Sequence, residues 1–219
     1  MIGVLINVAS SSSNPNGRGR IFDDLTFEYL PIPEIQKTIE KVFTYGELGF
    51  VHVKFPDLPV HLDPEFETFT YGHVKRGFGD IQSLLMLKRD DALFFYATLQ
   101  KEDAWSPYII GYFSNLEVYD CREMSIEEIF GLRVKGFANN AHLKRENPRV
   151  DFLLKGGEGS KLLKKAFPLA RKDNHLELRD SLKDIIYTAT GKKIESGKPW
   201  FRWTLTCNKT DKLVRMVEV

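Results

Sequence analysis

His61, Asp63, Glu65 and Glu67 alternate in the segment HLDPEFE. Alternate residues of an extended chain share one face, so four titratable groups could converge there. One imidazole and three carboxylates could serve as an acid/base set or suit a hard divalent metal. Pro64 lies inside the segment and argues against a central strand. His61, Asp63 and Glu65 are therefore catalytic candidates, with no metal and no cofactor assigned.

The run Asn139-Asn140-Ala141-His142-Leu143-Lys144-Arg145 sets amides, an imidazole and two cations side by side. Asn can read an adenine edge, His142 can move a proton, and Lys144 and Arg145 can hold phosphate. Asn14, Arg18 and Arg20 stand in a Ser/Asn/Gly-rich loop that is dense in donors. Gly156, Gly157 and Gly159 precede Ser160 and Lys161, a setting in which backbone amides can approach an anion. The spacing is not that of a Walker loop, and Glu158 opposes phosphate there. Tyr96 and Trp105 lie in an aromatic-rich region and could stack an unpaired base.

Absent motifs narrow the chemistry. No GxSxG, HExxH or GxGxxG occurs. The HxE…PCxxC signature of zinc deaminases is also missing. Cys121 and Cys207 are too few for a four-cysteine zinc site and have no CxxC spacing. They read as reduced thiols, which fits a cytoplasmic setting.

These residues need a frame. The chain has 219 residues, 42% hydrophobic and 28% charged, with a formal net charge of +1. That composition excludes a disordered chain. No apolar run nears the ~20 residues that span a bilayer, so no membrane partner is expected. The first ten residues read as a strand rather than a signal peptide. The neutral total hides a split. Residues 1–143 carry 13 Lys+Arg against 20 Asp+Glu, and residues 144–219 carry 18 against 10. A basic last third is a candidate polyanion surface.

Local patterns predict strands at 3–9, 92–99, 108–119 and 150–154. They predict helices at 34–43, 79–87, 125–132, 160–168 and 176–187. Ser125 and Glu128 form a capping box for the third of these. Residues 200–206 and 212–219 read as a terminal hairpin. The whole is expected to be one α+β domain, with short helices around a curved mixed sheet.

INVASSSSNPNGRGRIFDD, FEYLPIPE, TYGELG, HLDPEFETFTYG, DDALFFYATL, YIIGYF, NAHLKR and DFLLKGGEGSKLLKKAFPL together resemble the third family of nucleotide-modification-associated domains. The resemblance covers about residues 1–170. It implies a place in a phage or prokaryotic nucleotide-modification system and does not fix a reaction. Arg89-Asp90-Asp91 followed by FFY and IIGYF is also similar to PUA-like domains. That likeness implies a small barrel with an aromatic-lined pocket for RNA or a modified base.

Three functions remain open on this reading. The first is a module that binds nucleic acid or a modified nucleobase. The second is an enzyme that acts on a nucleotide or nucleobase through carboxylate/His chemistry. The third is a structural or partner-binding component of the same system. The expected partner is a nucleic acid or nucleotide, DNA or RNA. If the enzyme reading holds, Asn14–Arg20, His61–Glu67 and Asn139–Arg145 should meet in space.

Overall fold

A computed structural model describes residues 1–8, 14–74, 80–172, 176–188, 190–195 and 204–219. The strands, in chain order, are β1 (Gly3–Asn7), β2 (Ile32–Pro33), β3 (Val60–His61), β4 (Thr70–His73), β5 (Ala92–Lys101), β6 (Ala104–Phe113) and β7 (Glu117–Asp120). They continue with β8 (Phe152–Lys155), β9 (Lys161–Pro168), β10 (Ala170–Lys172), β11 (Leu176–Leu178), β12 (Ile186–Thr188) and β13 (Leu205–Cys207). The α-helices are α1 (Asp80–Leu85), α2 (Ile126–Gly131), α3 (Asp180–Lys183) and α4 (Thr210–Val217). The architecture is mixed α+β, as the sequence pattern implies.

The main sheet runs β12-β13-β1-β5-β6-β9. β1 and β5 are parallel, and the other neighbours are antiparallel. Its edges, β12 and β9, do not pair with each other, so the sheet is open among the described residues. The small closed barrel of the PUA-like alternative is not the arrangement seen.

β5 explains why this sheet is central. Leu93, Phe95, Ala97 and Leu99 enter one apolar cluster, and Ala92, Phe94 and Tyr96 enter another on the opposite face. A strand buried on both faces reads as a continuous apolar run, as ALFFYATL does. One face packs on a second sheet, β4-β8-β7, through Tyr71, Phe152 and Leu154. The other is covered by Leu182 of α3 and by Leu213 and Val217 of α4.

Beyond the second sheet, Leu143 is buried with Phe137, Leu153 and Ile129. Burying a leucine of this kind stabilises by roughly 1.5–3 kcal/mol, enough to fix the short 3-10 turn Ala141–Lys144 in place. A fourth cluster of Leu30, Tyr45, Val53 and Val60 anchors the β2–β3 ribbon. These two anchors position the polar residues described below.

The capping box holds, with Ser125 Oγ accepting from Glu128 N–H and the Glu128 carboxylate accepting from Ser125 N–H. Other elements differ from expectation. Residues 34–43 form no helix, because the segment bonds sideways to a distant backbone. Ile39 N–H donates to the Lys144 carbonyl and Glu146 N–H to that of Lys37. Residues 161–168 are strand β9, where pairing with β6 overrides the helix propensity of KLLKKAF. Residues 176–187 break into β11, α3 and the start of β12, although Leu178, Leu182, Ile185 and Ile186 all become buried. The C-terminal segment is helix α4, with Leu213 and Val217 one turn apart against the sheet. Of the hairpin's first strand, residues 200–203 lie outside the described residues, as do Ser10–Ser13 of the serine loop.

Candidate functional site: a buried His–Asp–His cluster

Four separate segments meet at one point. β2 leads into Glu34, and β3 carries His61 with Asp63 just beyond it. β4 carries Thr70 and Gly72, and the 3-10 turn carries Asn140, His142 and Arg145. β2 and β3 pair Ile32 with His61, which brings Glu34 beside the imidazole. β4 passes directly under His142. A Cβ on Gly72 would stand 2.5 Å from His142 Cδ2, so only glycine permits this approach.

His61 Nδ1 donates to Glu34 Oε2 at 2.7 Å. Arg145 clasps the same carboxylate with Nε at 3.0 Å and Nη2 at 3.1 Å, a bidentate pair. Arg145 Nη1 also stands 3.1 Å from His142 Nδ1. Asp63 Oδ1 accepts from Gly72 N–H at 2.8 Å, and its Oδ2 lies 3.3 Å from His142 Nε2. Asn140 caps the turn by accepting from His142 N–H at 3.1 Å, and its amide reaches towards Thr70 Oγ1 at 3.4 Å. The two imidazoles pack edge to face, with centroids 4.8 Å apart.

The cluster is dry. His61, Glu34, His142 and Arg145 are 4–8% exposed, and the Asp63 side chain 6%. Burial opposes a charged Glu34. The His61 and Arg145 hydrogen bonds, with the His61 charge, overcome it and bring the carboxyl down to about 2. Burial holds His142 below the usual imidazole range, against the opposite pull of Asp63. Tyr29 donates to the Pro64 carbonyl at 3.3 Å, and burial followed by the Asp63 charge keeps its phenol protonated well above 10.

Of the residues singled out in the sequence, His61, Asp63, Asn140, His142 and Arg145 come together here. Glu65 does not face this centre. Its carboxylate accepts from Glu67 N–H, Thr68 N–H and Thr68 Oγ1, closing the turn into β4. Asn139 sits half-buried just before the cluster, and the Lys144 carbonyl accepts from Ile39 N–H. Asn14 is buried, donates to the Pro31 carbonyl at 3.1 Å and so ties its loop to β2.

Arg18 and Arg20 lie elsewhere, in a groove of about 470 Å³ that His52, Lys54 and Lys101 also line. The Arg18 guanidinium sits 5.3 Å above the Trp105 ring, and its Nε is buried with no partner among the described residues. Tyr96 is wholly buried in the core, where no base can reach it. Ser160 Oγ bonds both the N–H and the carbonyl of Ser114, and Lys161 pairs with Glu218 at 2.6 Å. Both therefore brace β9 and the turn before it.

The family model for nucleotide modification associated domain 3 matches residues 3–217. The chain belongs to that family. The description links the domain to nucleotide modification. Neither a curated protein nor a solved structure shows a significant match. The family extends well past residue 170, where the readable sequence blocks end, and the sheet gives the reason. β13 pairs with β1 near the middle of the main sheet, so the basic last third is built into the core of the domain.

Glu34, Thr70 and Gly72 of this cluster were not among the candidate residues, although Thr70 and Gly72 lie in the block HLDPEFETFTYG. Glu34 stands 27 residues from His61 and 111 from Arg145, and no spacing rule joins them. Its one pointer was its place in the block FEYLPIPE.

Proposed function

We propose that this domain is an enzyme of a nucleotide-modification system, acting on a nucleotide or nucleobase, with His61, Asp63 and His142 as its reaction centre. The observation that carries this reading is their convergence. Polar atoms of all three lie within 4.8 Å of one another, although 79 residues separate Asp63 from His142. Buried polar groups orient each of them. Glu34 fixes the His61 ring, Gly72 N–H holds one Asp63 oxygen, and Asn140 fixes the backbone at His142. Oriented, desolvated acid–base groups are the arrangement that proton transfer requires. The test compares nucleosides, by mass spectrometry, from nucleic acid of cells carrying the complete modification system with either the wild-type chain or Asp63→Asn. The expected result is loss of a modified nucleoside in the variant. An unchanged profile with a folded variant refutes the reading.

A second reading, a nucleic-acid binding module, draws on the groove of Arg18, Arg20, Lys54 and Lys101 beside Trp105. Four cations and an aromatic ring suit a phosphate backbone with an unpaired base. Glu28 near Arg20 and Asp23 on Lys101 offset part of that charge. Binding of single-stranded oligonucleotides should weaken with salt, and Arg18→Ala with Arg20→Ala should lower the slope by about 1–2. Salt-independent binding, or a slope the variant leaves unchanged, counts against the groove.

A further inference from the structure

Deepening the reading of this cluster as a reaction centre, and resting on it, we propose that His61, Asp63 and His142 bind one first-row divalent cation. Glu34 would orient His61 in that site.

One separation in the cluster has the length of a coordination edge, and the widest, 4.8 Å, must close below about 4.2 Å as His61 moves in on a cation. Two ligands each about 2.1 Å from a metal, at tetrahedral to octahedral angles, stand roughly 3.0–3.4 Å apart. His142 Nε2 and Asp63 Oδ2 are 3.3 Å apart. A charge-assisted N–H···O⁻ bond closes to about 2.7–2.9 Å. The pair is thus spaced as the edge of a coordination polyhedron.

The surroundings match as well. His61 Nδ1 is engaged by Glu34 at 2.7 Å, which leaves Nε2 as the lone-pair nitrogen. This carboxylate–imidazole order is the usual support of a metal-bound histidine. Gly72 N–H pins Asp63 Oδ1, so Oδ2 remains to face the histidines. Among the described residues, the ion-pair partner within reach of Asp63 is an imidazole, with no Lys or Arg beside it. Arg145 is committed to Glu34. A buried carboxylate without a full counter-charge is costly, and a cation at this point supplies one.

Two imidazoles and one carboxylate suit Zn²⁺, Fe²⁺, Mn²⁺ or Co²⁺ better than Ca²⁺ or Mg²⁺, which prefer oxygen. Three protein ligands leave positions for water or a substrate atom, as in catalytic sites. Arg145 must readjust on loading, and its Nη2 already lies 3.1 Å from His61 Nδ1, the nitrogen that donates to Glu34. Arg145 Nη1 lies 3.1 Å from His142 Nδ1, which bears a hydrogen once Nε2 binds a cation. The guanidinium then turns away from His142 and keeps its two bonds to Glu34.

The full chain, stripped with chelator and dialysed, is titrated with Co²⁺ and then competed with Zn²⁺. The expected result is one equivalent of Co²⁺ with ligand-field absorption, displaced by Zn²⁺. Asp63→Asn and His61→Gln should each weaken binding by more than about 100-fold, and Glu34→Gln by about 10- to 100-fold. Glu127→Gln, on the exposed face of α2, should change nothing. X-ray absorption of the Co²⁺-loaded wild type should count two imidazoles, and this readout needs no variant to fold. No Co²⁺ uptake, equal binding by Asp63→Asn, or fewer than two imidazoles overturns the proposal. The two readings fail separately. Metal binding with an unchanged nucleoside profile sinks the reaction centre alone. Loss of the modified nucleoside in Asp63→Asn without metal binding sinks the metal site alone.

Discussion

Gly72→Ala is the sharpest probe of how the cluster is built. Gly72 is not in the left-handed region, so alanine suits its backbone and by itself lowers the entropy of the unfolded chain, worth about 0.4–1 kcal/mol. The obstacle is steric. The new Cβ would lie 2.5 Å from His142 Cδ2 and 3.2 Å from Asn140 Oδ1. Ordinary carbon contacts are about 3.5–4.0 Å, so the His142 ring must retreat by about 1 Å. That ring is buried between Asp63 and Arg145 and cannot swing into solvent. Overpacking of this kind costs about 1–3 kcal/mol, leaving a net destabilisation of up to about 2.6 kcal/mol. The functional loss should be larger, because a 1 Å misplacement of a reacting group can cost about 100-fold. Urea unfolding and the nucleoside assay read the two effects. Gly131→Ala is the control, since a Cβ there meets nothing within 4 Å. Wild-type stability and modification in Gly72→Ala would refute the packing argument.

Arg145→Met should destabilise by about 3–5 kcal/mol in urea unfolding, because it leaves Glu34 buried without its cation. Adding Glu34→Gln should recover part of that loss, and a single-variant change below about 1 kcal/mol contradicts the pairing. The thiols give a pH test. Burial first, then the Asp120 charge, pushes Cys121 up to about 11, and burial raises Cys207. Neither should react with a thiol reagent at pH 8 until the chain is unfolded in urea, and rapid native labelling would contradict this. A raised folded value means that Cys121 contributes stability below its unfolded value of 9.0 and loses it as pH rises through about 11. Stability should therefore decline over that alkaline window.

Much of the frame was legible because it depends on local or strictly periodic signals. The apolar runs at 3–9 and 92–99 read as strands, and β1 and β5 form within them. Ser125 and Glu128 specified a helix start within three residues. Residues 161–168 and 210–217 went the other way. Their patterns allow either element, and the free edge of β6 and the uncovered face of the sheet made the choice. Legibility at the site followed the same rule. HLDPEFE and NAHLKR stood out as dense runs of reactive types, since composition alone marks them. Glu65 shares that composition, yet the turn at 65–70 claims its carboxylate. Glu34 and Gly72 are ordinary residues in the sequence, and they matter only because β2, β3 and β4 bring them against His61 and His142.

The sequence by itself determined the kinds of group available, the apolar strands that bury them and the family to which the chain belongs. Tertiary structure decided which groups meet. Hydrogen bonding and coordination act over about 2–4 Å, while the partners lie up to 111 residues apart. The packing of Leu143 and of the Val60 ribbon, with the backbone bonds between residues 37–39 and 144–146, closes that distance.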